Sequence, residues 1–274
     1  MAERSNLQQR TISGIIGAAL MISLIIANEY TFVALATALS LASLHEFFFL
    51  IKSKTDFKPN TFSAFLIAFF SLLLTYLIQI NFLPFVYYLL ILPLVSFAFI
   101  HELYRKSSTP FQNIAFTVLG LIYTVLPFVL FIKISFFSQN QYSWHIVLGL
   151  FLCLWASDIG AYVAGKTFGK HKLFPSVSPG KTWEGSIGGV IWSMAMAYGL
   201  SRFWVEFTLF QWIGMAVIIV VFGMYGDLVE SAFKRSIQVK DSGTMIPGHG
   251  GFLDRFDGLY LSLPVIYSFL VIFS

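Results

Sequence analysis

Residues 231–257 read SAFKRSIQVKDSGTMIPGHGGFLDRFD and stand between two strongly apolar stretches, residues 210–225 and 259–273. Twelve of these 27 residues are charged, hydroxyl-bearing or histidine, and five are glycine or proline. Apolar, polar and apolar runs in that order describe two membrane helices joined by a folded connection. A charge at the centre of a span costs roughly 2.5–3.5 kcal/mol on insertion scales, so polar density beside hydrocarbon marks a functional site.

Composition places the whole chain in the same class. Hydrophobic residues make up 57% of the 274 and charged residues 11%, against about 25% charge in a soluble domain. The mean hydropathy is +0.79. Aromatic residues reach 18%, 31 of them Phe, which suits lipid-facing helices and interfacial belts. The single cysteine, Cys153, lies in an apolar stretch, so it reads as a small buried hydrophobe and no disulfide framework or cysteine metal cluster is available.

A membrane span needs roughly 17–25 apolar residues. About nine segments qualify or nearly so: residues 12–27, 30–51, 61–80, 83–100, 114–136, 145–164, 185–204, 209–226 and 256–273. The first is short and follows Arg4 and Arg10. It lacks a small-x-small cleavage site, so a retained helix is expected in preference to a signal peptide. Fifteen of the 17 Lys and Arg residues fall before the first span or in alternate connections, leaving only Lys133 and Arg202 towards the other side. That asymmetry predicts a cytoplasmic N-terminus and a C-terminus outside. The expected fold is therefore all-α: a polytopic integral membrane protein forming one domain over residues 1–274. Residues 1–140 supply apolar N-terminal helices. Residues 141–274 carry eight of the 13 acidic residues and both long polar connections, and hold the chemistry.

Two motifs in the apolar spans carry less than they suggest. His45-Glu46 and His101-Glu102 lack a second His four residues on, so the HExxH zinc pattern is absent; they are expected to be interfacial anchors or helix-packing groups. Residues 160–167, GAYVAGKT, match the GxxxxGK[ST] phosphate loop. A working phosphate loop follows a strand, however, and here some 20 apolar residues precede it, too many for a strand. A helix end is expected, with Asp158 on the bundle interior and the glycines allowing close packing.

Beyond it, GKTFGKHKLFPSVSPGKTWEGS (165–186) carries Lys166, Lys170, Lys172 and Lys181 and is expected to hug the membrane. In Ser178-Pro179-Gly180-Lys181-Thr182 a Pro-Gly turn fixes a lysine followed by a hydroxyl, more preorganised than topology alone requires. In the next connection, continuation of the eighth helix would place Asp227, Glu230, Ser231 and Lys234 on one face. Asp254 and Asp257 share a face at the start of the last helix. Asp227, Asp254 and Asp257 thus form a plausible hard-cation site, since Mg²⁺ favours a few carboxylates plus phosphate oxygens. Between them, Gly248-His249-Gly250-Gly251 lets backbone amides approach a phosphate.

The run from 231 to 257 closely resembles the signature S-x-x-K-R-x4-K-D-x-G-x-x-x-P-x-H-G-G-x-x-D-R-x-D of the phosphatidate cytidylyltransferases, or CDP-diacylglycerol synthases, with every fixed position matched. SDIGAYVAGKTFGKHKL (157–173) and SPGKTWEG (178–185) resemble the family's upstream motifs, whereas residues 1–140 match only in hydropathy. Gly258 departs from the Ser more often expected there, which touches helix packing and not chemistry. The resemblance implies a reaction of CTP with phosphatidic acid, giving CDP-diacylglycerol and pyrophosphate with Mg²⁺, and leaves a second cation open. It implies Asp227 and Asp254 as metal-coordinating residues, joined by Asp257 and, less directly, Asp158. Lys234, Arg235, Lys240 and Arg255 would hold phosphates, and Asp241 and His249 would orient the site or assist pyrophosphate departure. Ser178, Lys181, Thr182, Ser231, Gly250 and Gly251 would seat substrate. The partners implied are the two substrates and the bilayer, with no nucleic acid; a homodimer stays open. The compact chain suggests a bacterial cytoplasmic membrane. Two alternatives remain beside this: a transporter for an anionic solute, and a related enzyme such as a CTP-dependent lipid kinase or a cytidylyltransferase for another lipid phosphate.

Overall fold

The computed structural model describes residues 2–175, 178–239, 242–243 and 250–274. Among them ten α-helices follow in order: α1 (Ala2–Ala27), α2 (Glu29–Lys54), α3 (Thr61–Gln79), α4 (Ile91–Tyr104), α5 (Pro110–Gly120), α6 (Leu126–Ser135), α7 (Trp144–Phe168), α8 (Trp183–Phe203), α9 (Leu209–Ser236) and α10 (Leu253–Ile272). A 3₁₀ turn at Phe85–Leu90 leads into α4, and a π turn at Leu121–Val125 joins α5 to α6. Pro127 follows that turn; it has no N–H, and its ring would crowd the carbonyl one turn back. The wider turn, in which the Leu126 N–H donates to Leu121 O, accommodates it.

Joined in this way, the ten helices make nine apolar rods where nine were expected. Seven among the described residues are long and apolar enough to cross a membrane. The other two are α1, whose apolar part Gly14–Ala27 is shorter, and α8, whose Gly, Ser and Trp content dilutes its hydropathy. The chain is an all-α multi-pass membrane protein. Short polar side chains start the rods: Asn28 and Thr208 form capping boxes with Thr31 and Gln211, and Asn60, Ser143 and Thr182 each accept one amide of the first turn, satisfying donors a helix start leaves open.

Consecutive rods run antiparallel, as contacts between their ends show. The Tyr76 hydroxyl, late in α3, donates to Glu29 at the start of α2. His145 at the start of α7 pairs with Glu206 just after α8. Gln211, early in α9, donates to the Phe273 carbonyl after α10. The opposite end of the bundle gathers the C-termini of α2, α4, α7 and α9 and the N-termini of α8 and α10. Lys52 and Lys54, Arg105, Lys166, and Lys234 and Arg235 therefore fall at that one end, as the charge asymmetry predicted. Phenylalanine does more than face lipid: Phe32, Phe47, Phe48, Phe128, Phe131 and Phe136 are among the largest fully buried side chains. Phe32 meets Phe131 edge-on at 5.2 Å, and Tyr260 of α10 meets Tyr123 at 5.0 Å. Cys153 is buried.

Residues 160–167 are helical throughout and belong to α7, so they form no phosphate loop. Their glycines allow close packing: a Cβ on Gly188 of α8 would lie 2.3 Å from the Ala164 Cβ of α7.

Candidate active site

The connection from α7 to α8 is more ordered than the sequence suggested. Two short antiparallel strands, β1 (Lys172–Phe174) and β2 (Ser178–Thr182), pair Lys172 with Thr182 and Phe174 with Ser178. Leu173 points inward and is buried. The base is pinned by Glu184, which accepts the amides of Lys170 and His171 and meets the His171 ring at 2.6 Å. Thr182 then caps α8, accepting the Gly185 amide at 3.1 Å. The hairpin thus delivers Lys181 to the bundle with little backbone freedom left. Its ammonium forms an ion pair with Asp227 of α9 and donates to the Met224 carbonyl at 3.3 Å.

Lys181 lies on the wall of a cavity of about 590 Å³ between α7, α8, α9 and α10, within the usual size range of ligand sites. Its charged lining comprises Asp158, Lys166, Lys181, Asp227, Arg255 and Asp257; Leu154, Ile219 and Val220 make an apolar side. Helices α9 and α10 meet closely here, since a Cβ on Gly226 would sit 2.3 Å from the Asp257 carbonyl oxygen. Beside that contact, Asp227, Glu230 and Asp257 present carboxylate oxygens within 4.8 Å of one another. Glu230 is buried. Its Oε2 lies 2.6 Å from Lys234 Nζ, and its Oε1 has no hydrogen bond among the described residues. A buried carboxylate oxygen without a donor is costly, and two more carboxylates beside it make the arrangement fit a hard divalent cation.

The expected face of α9 is present. Ser231 Oγ donates to Asp227 Oδ1 at 3.3 Å, and Lys234 sits one turn beyond Glu230. Asp254, expected from the sequence beside Asp227, meets Lys234 next to Glu230 instead. Its Oδ1 accepts from Lys234 Nζ at 2.5 Å; its Oδ2 accepts from the Ser242 amide and hydroxyl at 3.1 and 2.7 Å and from the Gly251 amide at 3.4 Å. Its oxygens are therefore spent on holding a loop, and Glu230 takes the place next to Asp227 and Asp257. Spacing along α10 puts Asp254 and Asp257 on one face, and α9 meets that face with Lys234 at one level and Asp227 at another. Gly250 has a left-handed φ of 85°, which favours glycine, and Gly251 directs its amide at Asp254. Ser178 starts β2, and Arg235 is exposed on the last turn of α9. Lys240, Asp241 and His249 lie outside the described residues.

Lys166 illustrates how the two lysines of this cavity differ. It is exposed and meets Tyr162 through the hydroxyl at 3.4 Å and the ring at 5.6 Å, whereas Lys181 holds Asp227. Lys166→Ala is expected to keep turnover within about 5-fold of wild type, as an exposed contact does, and Lys181→Ala to lose about 10²-fold. Steady-state rates on folded protein check the ranking, and an inactive, well-folded Lys166→Ala would reverse it.

The all-helical membrane bundle thus carries a cavity at its basic end with charged groups on one side and hydrocarbon on the other. Residues 8–273 match the Cytidylyltransferase family, and the chain belongs to that family. It is 34% identical to the phosphatidate cytidylyltransferase of Staphylococcus haemolyticus over 267 residues, covering 96% of this chain and 98% of that one. It is 31% identical to the phosphatidate cytidylyltransferase of Bacillus subtilis over 284 residues, covering 98% and 99%. With the phosphatidate cytidylyltransferase of Staphylococcus aureus strain COL, identity is 39% over 193 residues, covering 69% and 72%. The likeness thus extends through the N-terminal helices, where only hydropathy was legible in the sequence.

Proposed function

We propose that the protein transfers the cytidylyl group of CTP to phosphatidic acid, giving CDP-diacylglycerol and pyrophosphate at the cytoplasmic face of a bacterial cell membrane. The observation that carries this beyond family membership is the two-sided cavity. Lys181 and Arg255 present positive charge on a wall shared with Asp158, Asp227 and Asp257, while Leu154, Ile219 and Val220 continue it as hydrocarbon. A phosphate on a diacylglycerol needs both.

In the reaction a phosphate oxygen of phosphatidic acid attacks the α-phosphorus of CTP. The new P–O bond forms as the bond to the bridging oxygen of the β-phosphate breaks, and pyrophosphate leaves with that electron pair. No Ser or Cys nucleophile is needed, so the chain's contribution is orientation and charge. Asp227, Glu230 and Asp257 would hold Mg²⁺, which when bound neutralises triphosphate charge and favours pyrophosphate as a leaving group. Lys181, tethered by Asp227, faces the triphosphate; Arg255 and Arg235 are suited to paired contacts with phosphate oxygens. Lys234 acts on the protein itself, tying Glu230 to Asp254. Thr182, Ser178 and Ser231 set the hairpin and the α9 face on which substrate rests. The signature residues Lys240, Asp241 and His249 complete the phosphate-handling loop with Gly250 and Gly251.

Purified protein given phosphatidic acid, Mg²⁺ and either α- or γ-labelled CTP separates the possibilities. The α-label is expected in lipid and the γ-label in pyrophosphate. A γ-label in lipid would establish a kinase, and label in neither lipid would overturn the enzyme assignment. Omitting the divalent ion is expected to stop transfer.

A further inference from the structure

Glu46 belongs to an apolar span of the N-terminal half, yet its side chain lies in the signature loop of the C-terminal half. It is 2% exposed. Its Oε2 accepts the Leu253 amide at 2.8 Å. Leu253 is the first residue of α10, and that helix receives no side-chain cap from Phe252 before it. Glu46 therefore supplies an N-terminal cap from another helix, its Oε2 taking an amide that a helix start leaves open. Its other oxygen, Oε1, presses on the backbone at both ends of the loop: a Cβ on Gly243 would lie 2.3 Å from it, and one on Gly251 2.0 Å. The neighbouring residue Phe47 stacks on Phe233 of α9 at 5.1 Å, and Ser43, one turn earlier, accepts from the Tyr260 hydroxyl at 2.7 Å. This face of α2 is thus docked on both helices that frame the site, and Glu46 cannot withdraw without giving up the Leu253 bond.

We infer that Glu46 is a positioning residue for cytidylyl transfer: it clamps residues 242–243 to residues 251–253, so that Asp254 stays seated on Ser242 and Lys234. This rests on the reading of that loop as part of the CTP site. The same clamp explains the glycine at 243. All three atoms nearest to a Cβ there belong to Glu46, so a methyl group would push the carboxylate off Leu253.

The test is a double-mutant cycle in full-length protein, with turnover measured per folded molecule. Glu46→Ala is expected to lower kcat by about 10²-fold through misplacement of the loop. Glu46→Gln, which keeps an oxygen for the Leu253 amide, is expected within about 5-fold of wild type. Gly243→Ala alone is expected to lose about 10-fold or more, but to add less than about 3-fold when Glu46 is already Ala, because the clashing atoms are gone. A purely structural Glu46 would lower the melting midpoint, leave kcat of the folded fraction unchanged and make the two substitutions additive; any of those kinetic results overturns the proposal. Should the wild-type chain transfer no label, the functional reading fails, and amide exchange then decides on the clamp alone. Exchange at Gly251 and Leu253 is expected to accelerate in Glu46→Ala and not in Glu46→Gln, and equal exchange in both rules the clamp out.

Discussion

Asp227→Asn is expected to reduce CDP-lipid formation by about 10²–10³-fold, the scale seen when one preorganised electrostatic group is lost from a reacting centre, with the fold intact. The substitution keeps size and removes charge. Three features of Asp227 set the size of the effect: it pairs with Lys181, receives the Ser231 hydroxyl, and shares a cluster with Glu230 and Asp257. The Lys181 and Asp227 side chains are 26% and 36% exposed, and an ion pair that wet contributes only about 0–1 kcal/mol to stability. Melting in detergent should therefore move little while turnover collapses. Asp257→Asn should behave alike, and raising Mg²⁺ should not rescue either. A folded Asp227→Asn protein with near-normal turnover would remove Asp227 from the metal site.

The second large effect is expected at Lys234, and on stability first. Its side chain is 13% exposed and bridges Glu230, 1% exposed, to Asp254, 16% exposed. Lys234→Met preserves length and packing but strands two carboxylates in a dry place, at a cost of about 3–5 kcal/mol. Low yield and a lowered melting midpoint should result. Adding Asp254→Asn to Lys234→Met should recover part of the midpoint, because one uncompensated charge is gone, but none of the activity, because the loop has lost its anchor. Wild-type stability in the single variant would show that Lys234 is no internal bridge and would leave it the phosphate-holding role that the resemblance implied.

Much of this arrangement is legible without coordinates. Long apolar segments state the helices, the one-sided distribution of Lys and Arg states which ends share a face, and i, i+3, i+4 spacing states that Asp227, Glu230, Ser231 and Lys234 share one side of α9. What spacing cannot state is which levels of α9 and α10 meet. That pairing decides that Glu230 lies beside Asp227 and Asp257 while Asp254 meets Lys234. The β-hairpin was hidden for another reason: Lys172–Phe174 is too short for any period to emerge, and Glu184 and His171 stabilise it from outside the strands. Glu46 left only a faint trace, an acid in an apolar span with no cation one turn away; Ala42, Ser43, Phe49 and Leu50 occupy those positions. Its partner is 207 residues distant, and no local pattern reaches that far.

That distance bears on how the protein is made. Helix α2 leaves the ribosome long before α10, yet their contacts, Ser43 with Tyr260 and Glu46 with Leu253, join the two helices at the basic end of the bundle. Until α10 inserts, Glu46 near the basic end of α2 lacks the Leu253 amide, a condition that favours keeping early helices loosely associated at the insertion machinery. A ribosome-stalled chain ending before residue 253 should accordingly expose Glu46 to water-borne labelling of a cysteine placed there, and the completed chain should not. Newly made enzyme would then gain its catalytic geometry in a single late event, when α10 docks, and a copy terminated before residue 253 would be inert and left for proteolysis instead of consuming CTP.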